Sequence, residues 1–286
     1  MSDEKKTLVI YHANCWDGFC AAWIAKGALL SEDVLFFPAQ YGQEPPSEAL
    51  DRDTRLFVLD FSYPRDVMFK LAAMRHAPMI VLDHHKTAQQ ALEDLEVELL
   101  SHNCGTSLTV KFDMNKSGGR LAWEHFYGRS GMPSPWLVDY TEDRDLWRHA
   151  LPCSREINAS LRSLPLDFTT WDLLHANPDA RAIMTTEGVA ILRRERQIID
   201  DHLRHAREIE MDGHRILAVN ATVLFSDVAG ELAAGRPFGA CYFDRADGMR
   251  QWSLRSRDDG VDVSEIAKRH GGGGNRNAAG FQEATP

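Results

Sequence analysis

The chain has 286 residues, a formal net charge of −10 at pH 7 and 44% hydrophobic residues, which is enough length for two modest domains and an ordinary composition for a soluble globular protein. No apolar run approaches the roughly 18–20 residues of a membrane span, and the acidic balance argues against coating long nucleic acid, since phosphate-backbone binding is driven by Lys and Arg; a small phosphorylated substrate stays allowed. The polar start Met1 to Lys6 has no apolar signal core, so export is not expected, and five cysteines without a paired spacing argue against a disulfide framework and for a reducing cytoplasm.

From the N-terminus, apolar runs alternate with helical patterns. Thr7–Tyr11, Val34–Phe37, Leu56–Asp60 and Met79–Leu82 read as strands, with helices starting near Gly18, Pro64 and Thr87. This alternation predicts βαβ units and a mainly parallel sheet covered on both faces. From Ser117 to about Leu174 the pattern turns helical. Ser117-Gly118-Gly119 before Arg120 reads as a helix start, with a plain N-cap favoured over an anion contact. Thr186 to Arg207 is long, charged and free of Pro, and reads as a linking helix whose charges form a solvated face with local ion pairs. After Met211 strands return at His214–Val219, Phe238–Phe243 and Gln251–Arg255, with helices near Asp227–Ala234 and Val263–Arg269. The predicted organisation is an α/β domain over residues 1–185, a linking helix over 186–210 and a smaller α+β domain over 211–286.

Chemistry-bearing residues gather at predicted strand ends, where sites form in open α/β sheets. Asp83-His84-His85 follows the run Met79 to Leu82 and offers one carboxylate and two imidazoles. Tyr11-His12-Ala13-Asn14-Cys15-Trp16-Asp17-Gly18 follows the first strand. Asp60 ends the strand Leu56 to Leu59, Asp143-Arg144-Asp145 follows an apolar stretch, and Gly271 to Gly274 lies near the C-terminus.

The order of these five segments, over nearly the whole chain, resembles the DHH phosphoesterase superfamily, which includes single-strand exonucleases, nanoRNases, cyclic-dinucleotide phosphodiesterases, exopolyphosphatases and family II pyrophosphatases. The resemblance implies a parallel-sheet DHH catalytic domain over 1–185. It also implies a DHH-associated substrate-binding domain over 211–286, through Trp252-Ser253-Leu254-Arg255-Ser256 and Gly272-Gly273-Gly274-Asn275-Arg276-Asn277-Ala278-Ala279-Gly280. By the same resemblance, Asp60 is the ligand bridging two metals, His12 is a ligand of one, and Asp17 and His84 are ligands of the other. The fourth motif adds Asp143 or Asp145; the spacing alone does not say which points inward, and Asp143 is slightly preferred. Asp83 either coordinates or orients a ligand imidazole. His85 is placed to donate to a phosphate oxygen or to act as general acid. Two departures stand out. The family's first motif usually carries two aspartates besides the histidine, and here Asn14 or Cys15 takes one of those places. A cysteine thiolate can bind a divalent metal, although a buried, inert thiol is the commoner fate of a cysteine. The family's glycine motif usually ends in histidine, where this chain has Asn275.

Phosphoester hydrolysis needs a nucleophile of hydroxide strength and a way to absorb charge on phosphate, and two metal ions about 4 Å apart supply both. Imidazole and carboxylate together suit Mn²⁺, with Mg²⁺, Co²⁺ or Fe²⁺ as alternatives. Gly272, Gly273 and Gly274 permit positive φ, so that their N–H groups can converge on an anion. Arg255 can add a bidentate phosphate contact, and Asn275 a neutral amide. Trp16, Trp123, Trp147 and Trp252 are candidates for a base-stacking platform. The resulting expectation is a cytoplasmic, Mn²⁺-dependent phosphoesterase acting on a short nucleotide in a cleft between its two domains. Phosphoanhydride hydrolysis of polyphosphate or an alarmone is the second reading, and a nucleotide sensor without turnover the third. The expected partner is a small phosphorylated substrate, not long nucleic acid or a membrane, and a homodimer is compatible with the sequence.

Overall fold

The computed structural model describes residues 6–30, 33–102 and 107–285. They fall into two compact units, Met1–Val189 and Ala190–Pro286.

The first unit opens with β1 (Thr7–His12), α1 (Trp16–Ala28), β2 (Val34–Ala39), a 3-10 turn (Ser47–Leu50), β3 (Arg55–Leu59), α2 (Arg65–Ala73) and β4 (Met79–Asp83). It continues with α3 (Lys86–Leu92), α4 (Leu95–Ser101) and β5 (Leu108–Phe112). Among the described residues the strands form one five-stranded sheet in the order β2-β1-β3-β4-β5, parallel throughout. Because strand side chains alternate between faces, Val9, Phe57, Leu59 and Leu82 enter one core with α1, while Leu8, Ile10, Leu56, Val58 and Val81 enter another with Met68 and Leu71 of α2. A sheet buried on both faces explains the near-continuous apolar runs. β2 is an edge strand, where Pro38, which lacks an N–H, costs no ladder bond. The strand order reverses between β1 and β3, and the carboxyl ends at such a switch point are the usual place for a site in these sheets.

The predicted helical stretch becomes α5 (Gly118–Tyr127), α6 (Trp136–Asp145), α7 (Ser154–Arg162) and α8 (Phe168–Ala176). Trp23 and Phe19 of α1 meet Trp171 and Phe168 there in a dense aromatic cluster. The long helix α9 spans Ala180–Leu203, so it begins six residues before Thr186. A Cβ on its Gly188 would collide with the Glu156 carbonyl of α7, so glycine here lets the two helices approach closely.

The second unit contains β6 (Arg207–Met211), β7 (His214–Asn220), α10 (Phe225–Leu232), β8 (Gly239–Asp244), β9 (Met249–Arg255), α11 (Val263–Arg269), β10 (Gly273–Asn275) and β11 (Ala278–Ala284). Its mixed sheet runs β10-β11-β9-β8-β7-β6 among the described residues, with only β7 and β8 parallel. The α/β plus smaller α+β architecture expected from the sequence is therefore present. Among the described residues no helix is long and apolar enough to cross a membrane, and Cys15, Cys20, Cys153 and Cys241 are all free thiols. Cys104 lies outside the described residues.

Candidate metal centre

Five segments of the first unit converge at the carboxyl edge of its sheet. β1 delivers His12 with its last residue, and Cys15 then sits at the N-cap of α1, whose first turn carries Asp17. Gly18 lets this happen: a Cβ there would lie 2.7 Å from His12 Cβ, so any larger residue would push α1 off the strand end. β3 delivers Asp60 in the left-handed region, φ 53°, a conformation Asp tolerates better than most residues. Its amide donates to Leu82 O at 2.8 Å, which ties it to β4. β4 ends on Asp83, and His84 and His85 follow. Asp145 is the last residue of α6.

His84 Nε2 is the hub. It lies 3.1 Å from Asp60 Oδ1, 3.5 Å from Asp145 Oδ2 and 3.7 Å from Asp17 Oδ2. On the other side of Asp60, Oδ2 faces His12 Nδ1 and Cys15 Sγ, each at 3.5 Å. Asp60 Oδ1 and His12 Nδ1 are buried and lack hydrogen-bond geometry to any partner. The Cys15 thiol donates to Asp60 Oδ2, but the two unbonded atoms leave buried lone pairs that a cation can engage. Three overlapping donor sets result among the described residues: His12–Cys15–Asp60, Asp60–His84–His85 and Asp17–His84–Asp145, with ligand atoms inside each set within 4.8 Å of one another. Asp60 and His84 each belong to two sets, and the imidazole and carboxylate donors of the cluster could hold a divalent metal.

The electrostatics agree. Burial, and then repulsion from Asp60 and Asp145, pushes Asp17 well above the usual carboxylate range. Asp145 is raised in the same way, chiefly by burial. Burial would also raise Asp60, but the His12 and His84 imidazoles beside it hold it far below its ordinary value. Burial works against a charged His84, yet the surrounding carboxylates, Asp145 foremost, hold it well above the usual imidazole range. Burial and then Asp60 push the Cys15 thiol well up. The Asp17, Asp60 and Asp145 carboxylates surround one imidazole, the first two buried and Asp145 27% exposed, and a bound cation would offset their charge.

Asp83 stands behind the cluster. Its Oδ1 accepts from the His84 amide at 2.7 Å, the His85 amide at 3.2 Å and His85 Nδ1 at 2.7 Å, while Oδ2 accepts from Ser62 Oγ at 2.9 Å. Asp83 falls in none of the donor sets, so it fits the orienting alternative rather than coordination, and its bond to Nδ1 leaves Nε2 as the open nitrogen of His85. The fourth motif differs from the sequence preference. Asp143 turns away, accepting from the Ala150 and Leu151 amides at 2.9 and 3.3 Å, and Asp145 takes the place in the cluster. Asn14 is exposed with φ 54° and falls in none of the donor sets.

Ser117-Gly118-Gly119 serves both readings of its sequence. Ser117 Oγ accepts from the Arg120 amide at 3.2 Å as an N-cap. The Gly118 and Gly119 amides donate to the two Asp17 oxygens at 2.5 and 2.9 Å, so the start of α5 does hold an anion, one supplied by the protein itself. Ser62 and Tyr41 were not foreseen. Ser62 lies two residues past Asp60, a proximity that could have flagged it. Tyr41, 52% exposed, has its ring centroid 5.4 Å from that of His12 and 6.4 Å from that of His85. It sits in a loop with no sequence signal.

In the second unit the glycine segment runs into the edge strand β10. Gly271, φ 77°, ends α11, and a Cβ on Gly272 or Gly274 would run into β11. Asn275 pairs with Ala278, and Ala278 with Arg255. Arg255 and Asn275 therefore share one row and one face of the sheet across a small residue. Arg255 also donates to Ser226 Oγ at 2.6 Å and Leu254 O at 2.8 Å.

No family model matches the sequence. Two curated relatives span nearly the whole chain. Uncharacterized protein R106 of Acanthamoeba polyphaga mimivirus is 28% identical over 97% of this chain and 68% of its own length. The oligoribonuclease NrnB of Bacillus subtilis (strain 168) is 25% identical over 95% of this chain and 71% of its own. Among solved structures, exonuclease RecJ bound to manganese matches 100% of this chain and 87% of its own with a TM-score of 0.53 at 16% identity. RecJ from Thermus thermophilus in complex with Mn²⁺ matches 99% of this chain and 50% of its own with a TM-score of 0.51 at 17% identity. These likenesses, with the order of the motifs, bear out the resemblance: the chain has the fold of the DHH phosphoesterase superfamily, with its C-terminal domain.

Proposed function

We propose that this protein is a divalent-metal-dependent phosphoesterase that hydrolyses a phosphodiester in a short nucleotide or oligonucleotide. The observation that carries this reading is the overlap of the donor sets on Asp60 and His84. His12 and Cys15 with Asp60 would hold one ion, and Asp17, His84 and Asp145, again with Asp60, the other. A pair of such ions, when bound, supplies a strong nucleophile and offsets charge on the attacked phosphate; Mn²⁺ suits the carboxylate and imidazole donors best.

The remaining residues do the positioning and proton work. Asp83, fixed by Ser62 Oγ, holds His85 by its Nδ1–H, so that Nε2 presents the proton a leaving oxygen needs. Burial works against an imidazolium at His85, but Asp83 outweighs it and raises the pKa, which favours the acid role. Tyr41 gives the site an aromatic rim beside His12 and His85, suited to a base or sugar face. In the second unit, Arg255 and Asn275, on one face of the sheet, together with the Gly272 to Gly274 backbone, are proposed to hold a substrate phosphate. The whole-chain similarity to NrnB, whose name states an oligoribonuclease, supports a short oligonucleotide over a long polymer, as does the net charge of −10.

The test is a product-release screen with added Mn²⁺ over linear dinucleotides, cyclic dinucleotides, nucleotide polyphosphates, polyphosphate and an aryl phosphodiester. Cleavage of linear dinucleotides that disappears in Asp60→Asn is the expected result. Release from polyphosphate alone would replace the reading with a phosphoanhydride hydrolase. Metal binding without turnover of any substrate would leave a nucleotide sensor.

A further inference from the structure

The two halves of the cluster are chemically unequal. Asp17, His84 and Asp145 offer oxygen, nitrogen and oxygen, whereas His12, Cys15 and Asp60 offer nitrogen, sulfur and oxygen. Neither packing nor capping accounts for Cys15. It lies outside the apolar core cluster that holds Cys20, and it makes no side-chain cap bond at the start of α1, a position where Ser, Thr, Asp and Asn are preferred. Its neighbours are polar: the thiol donates to Asp60 Oδ2 at 3.5 Å, and Asp60, 1% exposed, turns a buried Oδ1 without a hydrogen bond into the same cluster. Cys20 is the contrast. It is fully buried and tightly packed, since a Cβ on Gly119 would stand 2.7 Å from its Sγ.

We infer that His12, Cys15 and Asp60 form a thiolate-containing metal position that takes a borderline ion such as Co²⁺, Fe²⁺ or Zn²⁺, beside an oxygen-rich position for a harder ion such as Mn²⁺ or Mg²⁺. This rests on the metal-centre reading above and adds the asymmetry to it. Thiolate and imidazole select softer and borderline cations, and carboxylates harder ones. As the sulfur–metal bond forms, the S–H bond breaks and its proton passes to solvent, so the thiol enters the site as a one-electron-pair donor with no redox change. The substitution of a thiol at this place therefore changes which ion fills one of the two positions.

The experiment uses the full chain, stripped of metal, kept reduced and titrated with Co²⁺. A thiolate-to-cobalt charge-transfer band in the near ultraviolet is expected. It should vanish in Cys15→Ser and persist in Cys153→Ser, a change at an exposed cysteine. Co²⁺ affinity in Cys15→Ser should drop by at least the roughly 10–100-fold that even outer-sphere substitutions cost, with a smaller effect on Mg²⁺. Cys15→Asp keeps a ligating oxygen, so it should bind Co²⁺ without the band, which guards against a folding defect in the serine variant. Co²⁺ bound by the wild type without the band, or a band intact in Cys15→Ser, overturns the thiolate assignment alone. Failure of the stripped wild type to bind any divalent ion overturns the metal centre itself.

Discussion

Gly118→Ala is a one-carbon change that tests how tightly α5 and β3 define the site. A Cβ on Gly118 would lie 2.9 Å from both Cγ and Oδ1 of Asp60, and closer still to its Cβ. Carbon atoms prefer separations of about 3.5–4.0 Å, so relief requires a displacement on the order of 1 Å. Asp60 has little room to retreat: its amide is tied to Leu82 O at 2.8 Å, and its φ is already 53°. If α5 moves instead, the Gly118 amide leaves Asp17 Oδ2, which it now holds at 2.5 Å. Either movement displaces a carboxylate of the cluster. A misplacement of about 1 Å costs roughly 10²-fold in rate, or about 2.7 kcal/mol at about 1.36 kcal/mol per decade. Overpacking costs about 1–3 kcal/mol and replacing glycine within a helix returns up to about 1 kcal/mol, so the net loss of stability should be about 0–2 kcal/mol. The assay is kcat/KM on a linear dinucleotide with Mn²⁺, alongside Mn²⁺ affinity by calorimetry and Tm. A loss of activity and metal affinity is expected with a Tm that falls by at most about 8 °C, at roughly 2–4 °C per kcal/mol. Wild-type kcat/KM and metal affinity in Gly118→Ala would refute the reasoning.

Asp83→Asn should lower kcat by roughly 10–100-fold and, combined with His85→Asn, add little further loss, because the carboxylate acts through that imidazole; additive losses would separate the two. Tyr41→Ala should raise KM for a dinucleotide by the equivalent of about 1–3 kcal/mol, the usual scale of base–aromatic stacking. Tyr41→Phe should behave as wild type, and an aryl-free phosphodiester should be indifferent to both changes. Chelation should lower Tm: at a metal concentration of about 100 Kd the bound state is about 2.7 kcal/mol more stable, equivalent to roughly 5–11 °C for a unit of this size. The same comparison depends on pH. Asp17 and Asp145 have raised folded pKa values, so their ionisation costs stability as pH rises above about 4, the unfolded carboxylate value. His84 is raised as well, so its stabilising charge is lost as pH rises through its folded pKa. Asp60 is lowered, and its contribution is already complete above the unfolded carboxylate range. From pH 6 to 8 the metal-free protein should therefore lose stability and the gap to the metal-loaded form should widen; a gap that narrows over that range contradicts the assignment.

The three central strands of the parallel sheet were legible because burial on both faces forces unbroken apolar runs such as Leu56 to Leu59, and the edge strand β2 was legible from its apolar run Val34–Phe37 although it is mostly half-buried or exposed. β5 was not, since this edge strand alternates half-buried and exposed residues. β6 alternates charge with only Ile209 and Met211 facing inward, and β10 and β11 are built largely from glycine and alanine, which carry little strand signal. The cluster itself was readable because parallel strands bring their carboxyl ends together whatever lies between them in sequence. The choice between Asp143 and Asp145 was not readable, because it depends on the local period. The segment is helical, and residues two apart on a helix point about 200° apart; Asp145 faces the His84 cluster and Asp143 caps the Ala150–Leu151 turn. The role of Asp17's partners was half legible. Ser117-Gly118-Gly119 announced a helix start, but its anion comes from a residue about a hundred positions earlier, and no local pattern encodes that.

The most direct test of the central claim pairs metal content with turnover in the wild type and in Asp60→Asn. This substitution keeps the shape of the shared ligand and removes its charge. The wild type should bind two divalent ions per chain, in line with a two-metal site, and cleave a linear dinucleotide. Asp60→Asn should remain folded by circular dichroism, fail to hold both ions and show no cleavage above background. Cleavage by Asp60→Asn at the wild-type rate, or by wild-type protein stripped of divalent metal, would contradict the claim.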